Sequence, residues 1–590
     1  MLAMSPFRLP VPSRLKFLQP LLERLLGLSY LDRLYRQRVH TETPKDFVRV
    51  VLRLLGLRYT STRDIVDSVP AEGPLVVVAN HPFGGAEGLA IIDLLLKVRP
   101  DTRVLANQVL NGIPELRELF IGVDILGTQN RRRANREAIE RAREWVQGGG
   151  VLLVFPAGEV ASWNWKKRRV TEAPWRTTAA TIIRETGASV LPVFVAGNNS
   201  RLFHLLGIVH PALRTLRLVR ELINKRGQVI QLSPGKLITP SDRRQLDNDK
   251  ALTNFLRLNT LLLREHASDS ENHAAVTQTR TLQPLIEPVS QVLLAEDISQ
   301  LAVDRRLLAK GEMEVWCASA AELPHVLKEI GRLRELTFRT VGEGTGYEVD
   351  VDQYDRDYQH LFLWHKTRQE IVGAYRLGLV DRLYEQQGLE GIYSRSLFQY
   401  DATFLKKLGG CLEMGRSFVR PEYQKSITAL MFLWKGIGAF IVKHPQYRIL
   451  FGPVSISNDY SELSRQLMAS CLQANNYDKT LADLVRPTSP LADEPTALWD
   501  PDHLEGLSHV EGLSLLIQTI EKDKGVPILI KHYLKLQGEF AGFNVDKNFN
   551  NALDGLIVVD LKKVDDRMLG KYLGNEGMAL FRNRHGYVTA

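Results

Sequence analysis

The sequence predicts an α/β domain followed by an α+β domain in one chain of 590 residues. The length exceeds what one hydrophobic core usually supports, so more than one domain is expected. Residues 266–280 lack apolar periodicity and are rich in Ser, Asn, Thr and Ala, which is typical of a linker. We place the boundaries at 1–60 for a basic N-terminal segment, 61–265 for the first domain, 266–285 for the linker and 286–590 for the second domain.

Short apolar runs separated by helical patterns predict the sheet of the first domain. The strands expected from these runs are Leu75–Ala79, Val151–Phe155 and Val190–Val195. A helical pattern such as Arg133–Gln147 between them is typical of a mostly parallel sheet covered by helices. Ligands of such sheets usually bind beyond the carboxyl ends of the strands, where His81 and the segment starting at Phe155 are expected.

The second domain shows strand and helix patterns in a mixed order. Two apolar runs flank the polar turn 366–370 and predict a β-hairpin. The expected strands are Met313–Ala318, His360–Trp364, Ile371–Leu379, Glu413–Val419 and Tyr447–Phe451, and the expected helices are Ala320–Glu335 and about Glu422–Val442. This pattern predicts an α+β domain.

Positive charge is concentrated at the N-terminus. The chain has a formal net charge of +9, and residues 1–60 carry 11 Lys and Arg against four acids. In 15–26 and 47–55, apolar residues recur at roughly helical spacing with arginines between them. Such basic amphipathic helices can lie in the headgroup plane of an anionic membrane, or they can be ordinary surface helices packed on the domain.

The cysteines and the hydropathy pattern exclude several classes of protein. The three cysteines are far apart and form no CxxC or Cys/His cluster, which predicts a reducing compartment and no structural zinc. No run of eighteen or more uncharged apolar residues occurs, and the N-terminus has no apolar region followed by a cleavage site. We therefore expect neither a membrane-spanning segment nor a secretory leader.

The first motif with chemical potential is VANHPFGGAEG at 78–88. A neutral imidazole at the end of a strand can take a proton from a hydroxyl or an amine if a carboxylate orients its other nitrogen. Glu87 is the nearest acid to His81, and the pair Gly84-Gly85 would have to form a turn for the two to meet. The alternative is a plain turn with a solvent-facing histidine.

This motif resembles the first motif of the glycerophosphate acyltransferase superfamily, NHxxxxD. In that family the histidine is the general base and the aspartate orients it. Asn80 and His81 match, whereas Ala86 stands at the acid position and the carboxylate follows at Glu87. The hemolysin-like branch of the superfamily carries a similar NHPFGGxD/E form. The resemblance implies that His81 and Glu87 are catalytic residues of an O-acyl transfer.

A second resemblance to the same superfamily lies at 155–162. The family motif FPEGTRS is similar to this stretch, with Ala157 at the position of the motif's glutamate. Because this loop binds the acyl acceptor in the family, the resemblance implies a set of substrate-binding residues, namely Phe155, Pro156, Gly158 and Glu159. The changed acid implies an acceptor other than a glycerol phosphate.

Two further stretches complete the superfamily pattern. Arg131 begins an arginine triplet at the place of a basic headgroup contact, although a solvated helix start explains the triplet equally well. The run 190–193 is similar to the fourth motif and is expected to form a wall of the site.

The second domain carries an ordered series of acids and arginines, each of which alone could be a surface ion pair. The members are Arg334, Asp350, Asp352, Arg376, Glu413 and Arg416. As a set they resemble the acyl-homoserine-lactone synthases, which have a GNAT-like fold. The stretch 412–424 is closer still to the ornithine N-acyltransferases, and 527–549 resembles their C-terminal signature. The usual coenzyme A loop is missing after Val419, which implies acyl carrier protein as the donor.

Amide formation needs a base for the incoming ammonium and donors for the thioester oxyanion. Three residues are candidate catalytic acids, namely Glu413, Asp350 and Asp352. Three others can bind a carboxylate or a phosphate with a bidentate guanidinium, namely Arg334, Arg376 and Arg416. The base itself remains unassigned among these residues.

Together the resemblances cover nearly the whole chain and imply a bifunctional ornithine lipid synthase. Its second domain would N-acylate ornithine with a 3-hydroxyacyl group from acyl carrier protein, and its first domain would O-acylate the resulting lyso-ornithine lipid. This implies no metal, no cofactor besides the acyl carrier protein thioester, no nucleic acid, and a peripheral location at the cytoplasmic face of the bacterial inner membrane. The alternatives are a related lipid synthase using glycine or another amino acid, and a lysophospholipid acyltransferase with a non-catalytic binding module.

Overall fold

The computed structural model describes residues 6–8, 13–63, 68–124, 131–246, 248–264, 282–425, 427–492, 498–507, 509–521 and 524–586. The chain divides into two units. Unit 1 comprises 1–274 and 496–524, and unit 2 comprises 275–495 and 525–590. The predicted second domain was continuous, whereas the structure assigns 496–524 to unit 1. The predicted linker lies outside the described residues except for 282–285.

Unit 1 is built on a seven-stranded sheet with the strand order β1-β9-β8-β2-β5-β3-β4. Its strands are β1 (Arg58–Ser61), β2 (Leu75–Ala79), β3 (Thr102–Asn107), β4 (Phe120–Val123), β5 (Val151–Val154), β8 (Ser189–Val195) and β9 (Val229–Pro234). All neighbours pair in parallel except β8 and β9. A separate hairpin is formed by β6 (Ser162–Asn164) and β7 (Arg169–Thr171).

Helices cover both faces of this sheet, as expected for strands that are apolar along their whole length. They are α1 (Gln19–Leu26), α2 (Leu28–Arg36), α3 (Pro44–Leu55), α4 (Ala86–Leu96), α5 (Arg131–Gln147), α6 (Thr178–Thr186), α7 (Arg201–Val209), α8 (Pro211–Asn224) and α9 (Asp249–Leu262). Every residue of β2 is buried, because β2 lies in the middle of the sheet. The functional motif therefore starts from a rigid strand end.

The segment 496–524 contributes one more helix to unit 1, Val510–Ile520. This helix packs against α9. It buries Leu513 and Leu516, and a polar contact nearby joins Asn254 Nδ2 to the carbonyl oxygen of Asp502 at 3.3 Å. Its apolar stripe is an ordinary amphipathic pattern, so the sequence alone does not say which unit it packs on.

Unit 2 is built on an eight-stranded sheet with the order β10-β11-β12-β13-β15-β16-β19-β18. Its strands are β10 (Arg306–Lys310), β11 (Met313–Ser319), β12 (Gln359–His365), β13 (Glu370–Leu379), β15 (Cys411–Val419), β16 (Ile449–Ile456), β18 (Glu539–Asp546) and β19 (Ala552–Asp560). Two short strands, β14 (Phe398–Tyr400) and β17 (Val485–Pro487), pair with each other. The predicted hairpin is confirmed as β12–β13.

The helices of unit 2 are α10 (Gln291–Gln300), α11 (Pro324–Arg339), α12 (Val380–Gln387), α13 (Phe404–Leu408), α14 (Ile427–Lys443), α15 (Glu462–Asn475), α16 (Lys479–Ala482), α17 (Ile528–Lys535) and α18 (Asp566–Arg584). The helix predicted from Ala320 begins instead at Pro324. Ser319 and Glu322 form a capping box that closes a separate 3-10 turn, and Pro324 then takes the first helical turn. No helix within the described ranges is long and apolar enough to cross a membrane.

The two central strands of unit 2 separate along their length. β15 and β16 pair in parallel only over Cys411–Glu413 and Ile449–Phe451, although both strands continue further. Gly452 lies at the point of separation, where an added Cβ atom would stand 2.1 Å from the carbonyl oxygen of Met414. Only glycine fits there, and beyond it the two strands are no longer paired with each other.

Candidate active sites

In unit 1 the motif at the end of β2 is fixed first by Asn80. Its Nδ2 donates to the carbonyl oxygen of Val195 at 2.9 Å, and its Oδ1 accepts from the Val195 N–H at 2.6 Å. These two bonds join the ends of β2 and β8. The side chain of Asn80 therefore positions the backbone from which His81 projects.

The diglycine forms a turn and α4 begins only at Ala86. Gly84 has φ +108°, and an added Cβ atom would lie 3.0 Å from Leu218 Cδ2. The turn aims two backbone N–H groups, those of Phe83 and Gly84, at Glu87 Oε1, at 2.9 and 3.0 Å. Glu87 is thereby held under the turn, in the first turn of α4, where negative charge is favoured.

This arrangement brings His81 and Glu87 together. His81 Nδ1 lies 3.0 Å from Glu87 Oε1, and the Glu87 side chain is fully buried. Burial raises the pKa of Glu87, but the charge of His81 and the two backbone donors lower it by more, so its net pKa is below the usual value. The carboxylate is therefore charged at neutral pH and can stabilise an imidazolium.

The other contacts of His81 hold its ring in place. The ring packs on that of Phe155, with centroids 4.3 Å apart. The His81 N–H donates to the carboxylate of Glu172, and its carbonyl oxygen accepts from the Ala161 N–H at 2.9 Å. The structure gives Nε2 no hydrogen-bond partner among the described residues, so this nitrogen is available to a substrate.

The loop predicted to bind the acceptor lies beside the histidine. Phe155 contacts the His81 ring, and the carbonyl oxygen of Pro156 accepts from the Arg176 N–H at 3.0 Å. Gly158 also lies against Arg176, whereas Glu159 is half exposed and pairs with Arg214 at 2.7 Å.

The structure gives little information about the predicted substrate-binding residue Arg131. It begins α5, and its side chain lies outside the described part of the structure.

Glu172 is a residue of this site that sequence reasoning missed. Its carboxylate accepts from the backbone of His81 and from Trp175 Nε1, the latter at 2.9 Å. Burial raises the pKa of Glu172, and the bond from Trp175 offsets only part of that rise. No motif marks this acid, because it stands 91 positions from His81.

In unit 2 the predicted arginines and acids form a connected network near the unpaired part of β15. Arg416 Nε lies 3.1 Å from Asp350 Oδ2, its Nη2 lies 3.4 Å from Asp352 Oδ2, and its Nη1 donates to the Tyr393 hydroxyl at 2.8 Å. Arg416 has φ +48° where the β13–β15 register shifts. A left-handed arginine in a strand is a strained conformation that often marks a functional site.

The other two arginines are buried more deeply. Arg376 Nη1 donates to Asp352 Oδ1 at 2.6 Å, and Arg334 Nη1 donates to Asp355 Oδ1 at 2.8 Å. Burial raises the pKa of Asp355, but the charges of both arginines outweigh it and leave the pKa well below its usual value. Arg334 is fully buried, so it holds Asp355 in place and does not face a ligand.

The carboxylate of Glu413 is not free to act as a base. Its carboxylate accepts from the Tyr358 hydroxyl, from the Tyr393 N–H at 3.0 Å and from the Ser394 N–H at 2.6 Å. Its side chain is buried. Both oxygens are engaged, so the geometry favours a role in holding Tyr393, which in turn contacts Arg416.

A group of buried acids in unit 2 was not selected from the sequence, namely Glu343, Asp546 and Asp554. The strand register places Asp554 opposite both Asn544 and Ser455, and the Ser455 hydroxyl donates to Glu343 Oε2 at 2.8 Å. Asp554 is 7% exposed. Within the described ranges none of the three acids forms a salt bridge.

Two of these acids, Glu343 and Asp554, hold their protons unusually strongly. Burial and the nearby Asp459 and Asp546 raise the pKa of Glu343 to about 7 despite the bond from Ser455. Burial and the other acids raise the pKa of Asp554 well above its usual value, with Arg416 opposing. A buried acidic group that forms no salt bridge favours a cationic ligand and can act as a general base near neutral pH.

Comparison with known proteins matches both units. A family model described as "Acyltransferase" matches residues 21–264, and a model described as "Acetyltransferase (GNAT) domain" matches residues 333–435. The chain is 32% identical over 286 residues to the glycine N(alpha)-acyltransferase of Phocaeicola vulgatus, covering 45% of this chain and 85% of that protein.

Two other relatives extend the comparison. The L-ornithine N(alpha)-acyltransferase of Agrobacterium fabrum is 29% identical over 45% of this chain and 84% of that protein. The lyso-glycine lipid O-acyltransferase of Phocaeicola vulgatus is 27% identical over 29% of this chain and 62% of that protein.

Proposed function

We propose that this chain makes a diacylated ornithine lipid. The premise is that it belongs to the N(alpha)-acyltransferase family and carries an acyltransferase domain ahead of its GNAT domain. Unit 2 acylates the α-amine of ornithine with a 3-hydroxyacyl group. Unit 1 then acylates the hydroxyl of that group. The donor of both steps is an acyl carrier protein thioester.

In the N-acylation step the ammonium of the amino acid lies near Glu343 and Asp554. One of these carboxylates takes a proton, and the free amine attacks the thioester carbonyl carbon. The C–N bond forms, the C–S bond breaks, and the leaving thiolate takes the second proton lost by the nitrogen. Arg416 supplies the positive charge for the substrate carboxylate or for the phosphate of the carrier. Arg376 is buried like Arg334 and holds Asp352 in place beside Arg416.

In the O-acylation step the hydroxyl of the monoacylated product gives its proton to His81 Nε2. The oxygen attacks the second thioester, and Glu87 stabilises the imidazolium that forms. When the tetrahedral intermediate collapses, the C–S bond breaks and the imidazolium returns its proton to the thiolate. Phe155 keeps the imidazole ring in the orientation that this exchange requires.

The observation that carries the proposal is that each unit holds groups suited to act as a base. In unit 1 His81 lies 3.0 Å from Glu87, and in unit 2 Glu343 and Asp554 are buried acids. An acidic group that forms no salt bridge within the described residues also suits a diamino acid, because ornithine brings a second ammonium.

A glycine lipid is the second candidate. The glycine-acylating relative is slightly more similar to this chain than the ornithine-acylating one, at 32% against 29% identity. Glycine has a single ammonium, so it would leave more of the acidic group uncompensated. The other alternative, a lysophospholipid acyltransferase with a non-catalytic second unit, is disfavoured by the complete arginine and acid network of unit 2.

Peripheral attachment to the cytoplasmic face of the bacterial inner membrane belongs to the same proposal. The monoacylated intermediate is an amphiphile, and unit 1 exposes apolar side chains on and before α1, including Phe17, Leu21 and Leu25. These side chains lie in the basic N-terminal segment, as an amphipathic interfacial helix requires.

The purified chain tests the proposal directly. It is incubated with 3-hydroxyacyl carrier protein and either ornithine or glycine, then with a second acyl carrier protein thioester, and the products are identified by mass spectrometry. We expect an N-acyl and then a diacyl ornithine product. A parallel reaction with acyl coenzyme A should give little product. Acylation of glycine alone would establish the second candidate, and acylation of neither would refute both.

A further inference from the structure

We propose that two segments of unit 1, the β6–β7 hairpin (162–171) and α7 with the first ten residues of α8 (201–220), form a docking surface for an anionic lipid monolayer. We call this the lipid face. The inference rests on the lipid acceptor of the proposed function. It names the surface through which that acceptor reaches His81.

The lipid face exposes large apolar side chains. Trp165 is 66% exposed and Leu205 is 58% exposed. Further exposed members are Trp163, Leu202, Val209, Leu213 and Leu216. α7 packs against both α8 and β6, so these side chains belong to neighbouring elements and not to scattered sites. Contiguous exposed apolar groups of this size mark an interaction surface.

The charge of the lipid face indicates which kind of partner binds it. The two segments contain eight Lys and Arg residues and no Asp or Glu. Three of these cations pair with acids outside the segments, namely Lys167 with Asp500, Arg214 with Glu159 and Arg217 with Glu221, and the net charge of the surface remains positive. Tryptophans at a hairpin and basic residues beside exposed leucines are the composition of interfacial elements on anionic membranes. An acidic carrier protein would satisfy the charges but would leave Trp165 and Leu205 in water, so a lipid surface is favoured.

The lipid face adjoins the active site. Leu218 of α8 lies against Gly84, in the turn that presents His81 to Glu87. Arg214 of α8 pairs with Glu159 in the acceptor loop. A monoacylated lipid held in the monolayer can therefore present its hydroxyl to His81 without leaving the membrane.

The experiment uses the full chain and vesicles without any substrate, so its result does not depend on the proposed reaction. Binding is measured by flotation with vesicles of an equimolar mixture of phosphatidylglycerol and phosphatidylcholine, and with phosphatidylcholine alone. We expect binding to the mixed vesicles to be about tenfold stronger and to weaken with added sodium chloride.

Variants locate the surface. Trp165→Gln with Leu205→Gln should lower binding to the mixed vesicles about tenfold, and Lys166→Glu with Arg201→Glu should remove the preference for them. The matched control is Val303→Gln, an exposed apolar residue of unit 2. Unchanged unfolding midpoints establish that the variants fold. Equal binding of wild type and both double variants to the mixed vesicles would overturn the proposal. It would also be overturned if the double variants lost binding to acyl carrier protein but still bound the vesicles.

Discussion

Glu87 Oε1 lies 3.0 Å from His81 Nδ1 across a turn and not along a helix. The left-handed Gly84 reverses the chain, and α4 begins only at Ala86. The same turn directs two backbone N–H groups at the carboxylate, which keeps it charged although it is buried. The pairing therefore depends on the glycine as much as on the acid.

Glu87→Gln tests the charge of the partner separately from its shape. Glutamine keeps an oxygen for the N–H groups of Phe83 and Gly84 but cannot stabilise an imidazolium electrostatically. We expect the kcat of O-acylation to fall on the order of 100-fold, with N-acylation unchanged. Glu185→Gln, an exposed acid of unit 1, is the control. An unaltered O-acylation rate would remove Glu87 from the mechanism.

Gly84→Ala tests the turn. A side chain at φ +108° is strained, and its Cβ would press on Leu218 at 3.0 Å. We expect the free energy of unfolding to drop by about 1–2 kcal/mol and O-acylation to be lost with it. Gly88→Ala is the matched control, because that position lies in α4 and an added Cβ meets nothing within 4 Å. Equal behaviour of the two variants would contradict the account of the turn.

Asp554→Asn tests the proposed base of unit 2. The substitution keeps the size of the side chain and removes a carboxyl group that can exchange a proton, so the amino acid ammonium loses its proposed proton acceptor. We expect N-acylation to fall on the order of 100-fold, whereas O-acylation of added monoacylated lipid persists. Asp401→Asn at an exposed position is the control. Full N-acylation by Asp554→Asn would place the base elsewhere.

Glu343 makes the stability of the protein depend on pH. Its pKa of about 7 in the folded protein is above the ordinary 4.5, so the folded state binds the proton more tightly than the unfolded state. The resulting stabilisation is complete below about pH 4.5 and is lost as the pH rises through 7. It amounts to at most about 3 kcal/mol. Denaturant unfolding at several pH values should show a flatter decline for Glu343→Gln than for wild type; parallel declines would refute the assignment.

The fold class and the acyltransferase class were predictable from local patterns. The short continuous apolar runs of β2 and β8 predicted buried strands, and the family models match on both sides of the predicted linker region. The motif residues also indicated where to search for the sites. The motifs are recognisable in the sequence because each one lies at the end of a single strand and in the loop that follows it.

The remaining features depend on long-range geometry. Asp546 and Asp554 are placed by the register of β18 and β19, and Glu343 joins them from the loop after α11 through Ser455 of β16. Asp546 ends a stretch whose family resemblance was visible in the sequence. Glu172 reaches His81 from another loop, and no motif marks it. Likewise, a helical pattern in 510–520 predicts an amphipathic helix but not the unit on which it packs.

The division of labour between the two units is tested most directly by His81→Ala in a bacterium that lacks aminolipids. Cells expressing wild type or the variant are given labelled ornithine or glycine, and their lipids are separated by thin-layer chromatography. His40→Ala, at an exposed position, serves as the control.

We predict that wild type places the ornithine label in a diacylated lipid, whereas His81→Ala accumulates the monoacylated lipid at an undiminished rate of N-acylation. Loss of both lipids in His81→Ala, or a diacylated lipid still formed by it, would contradict the account.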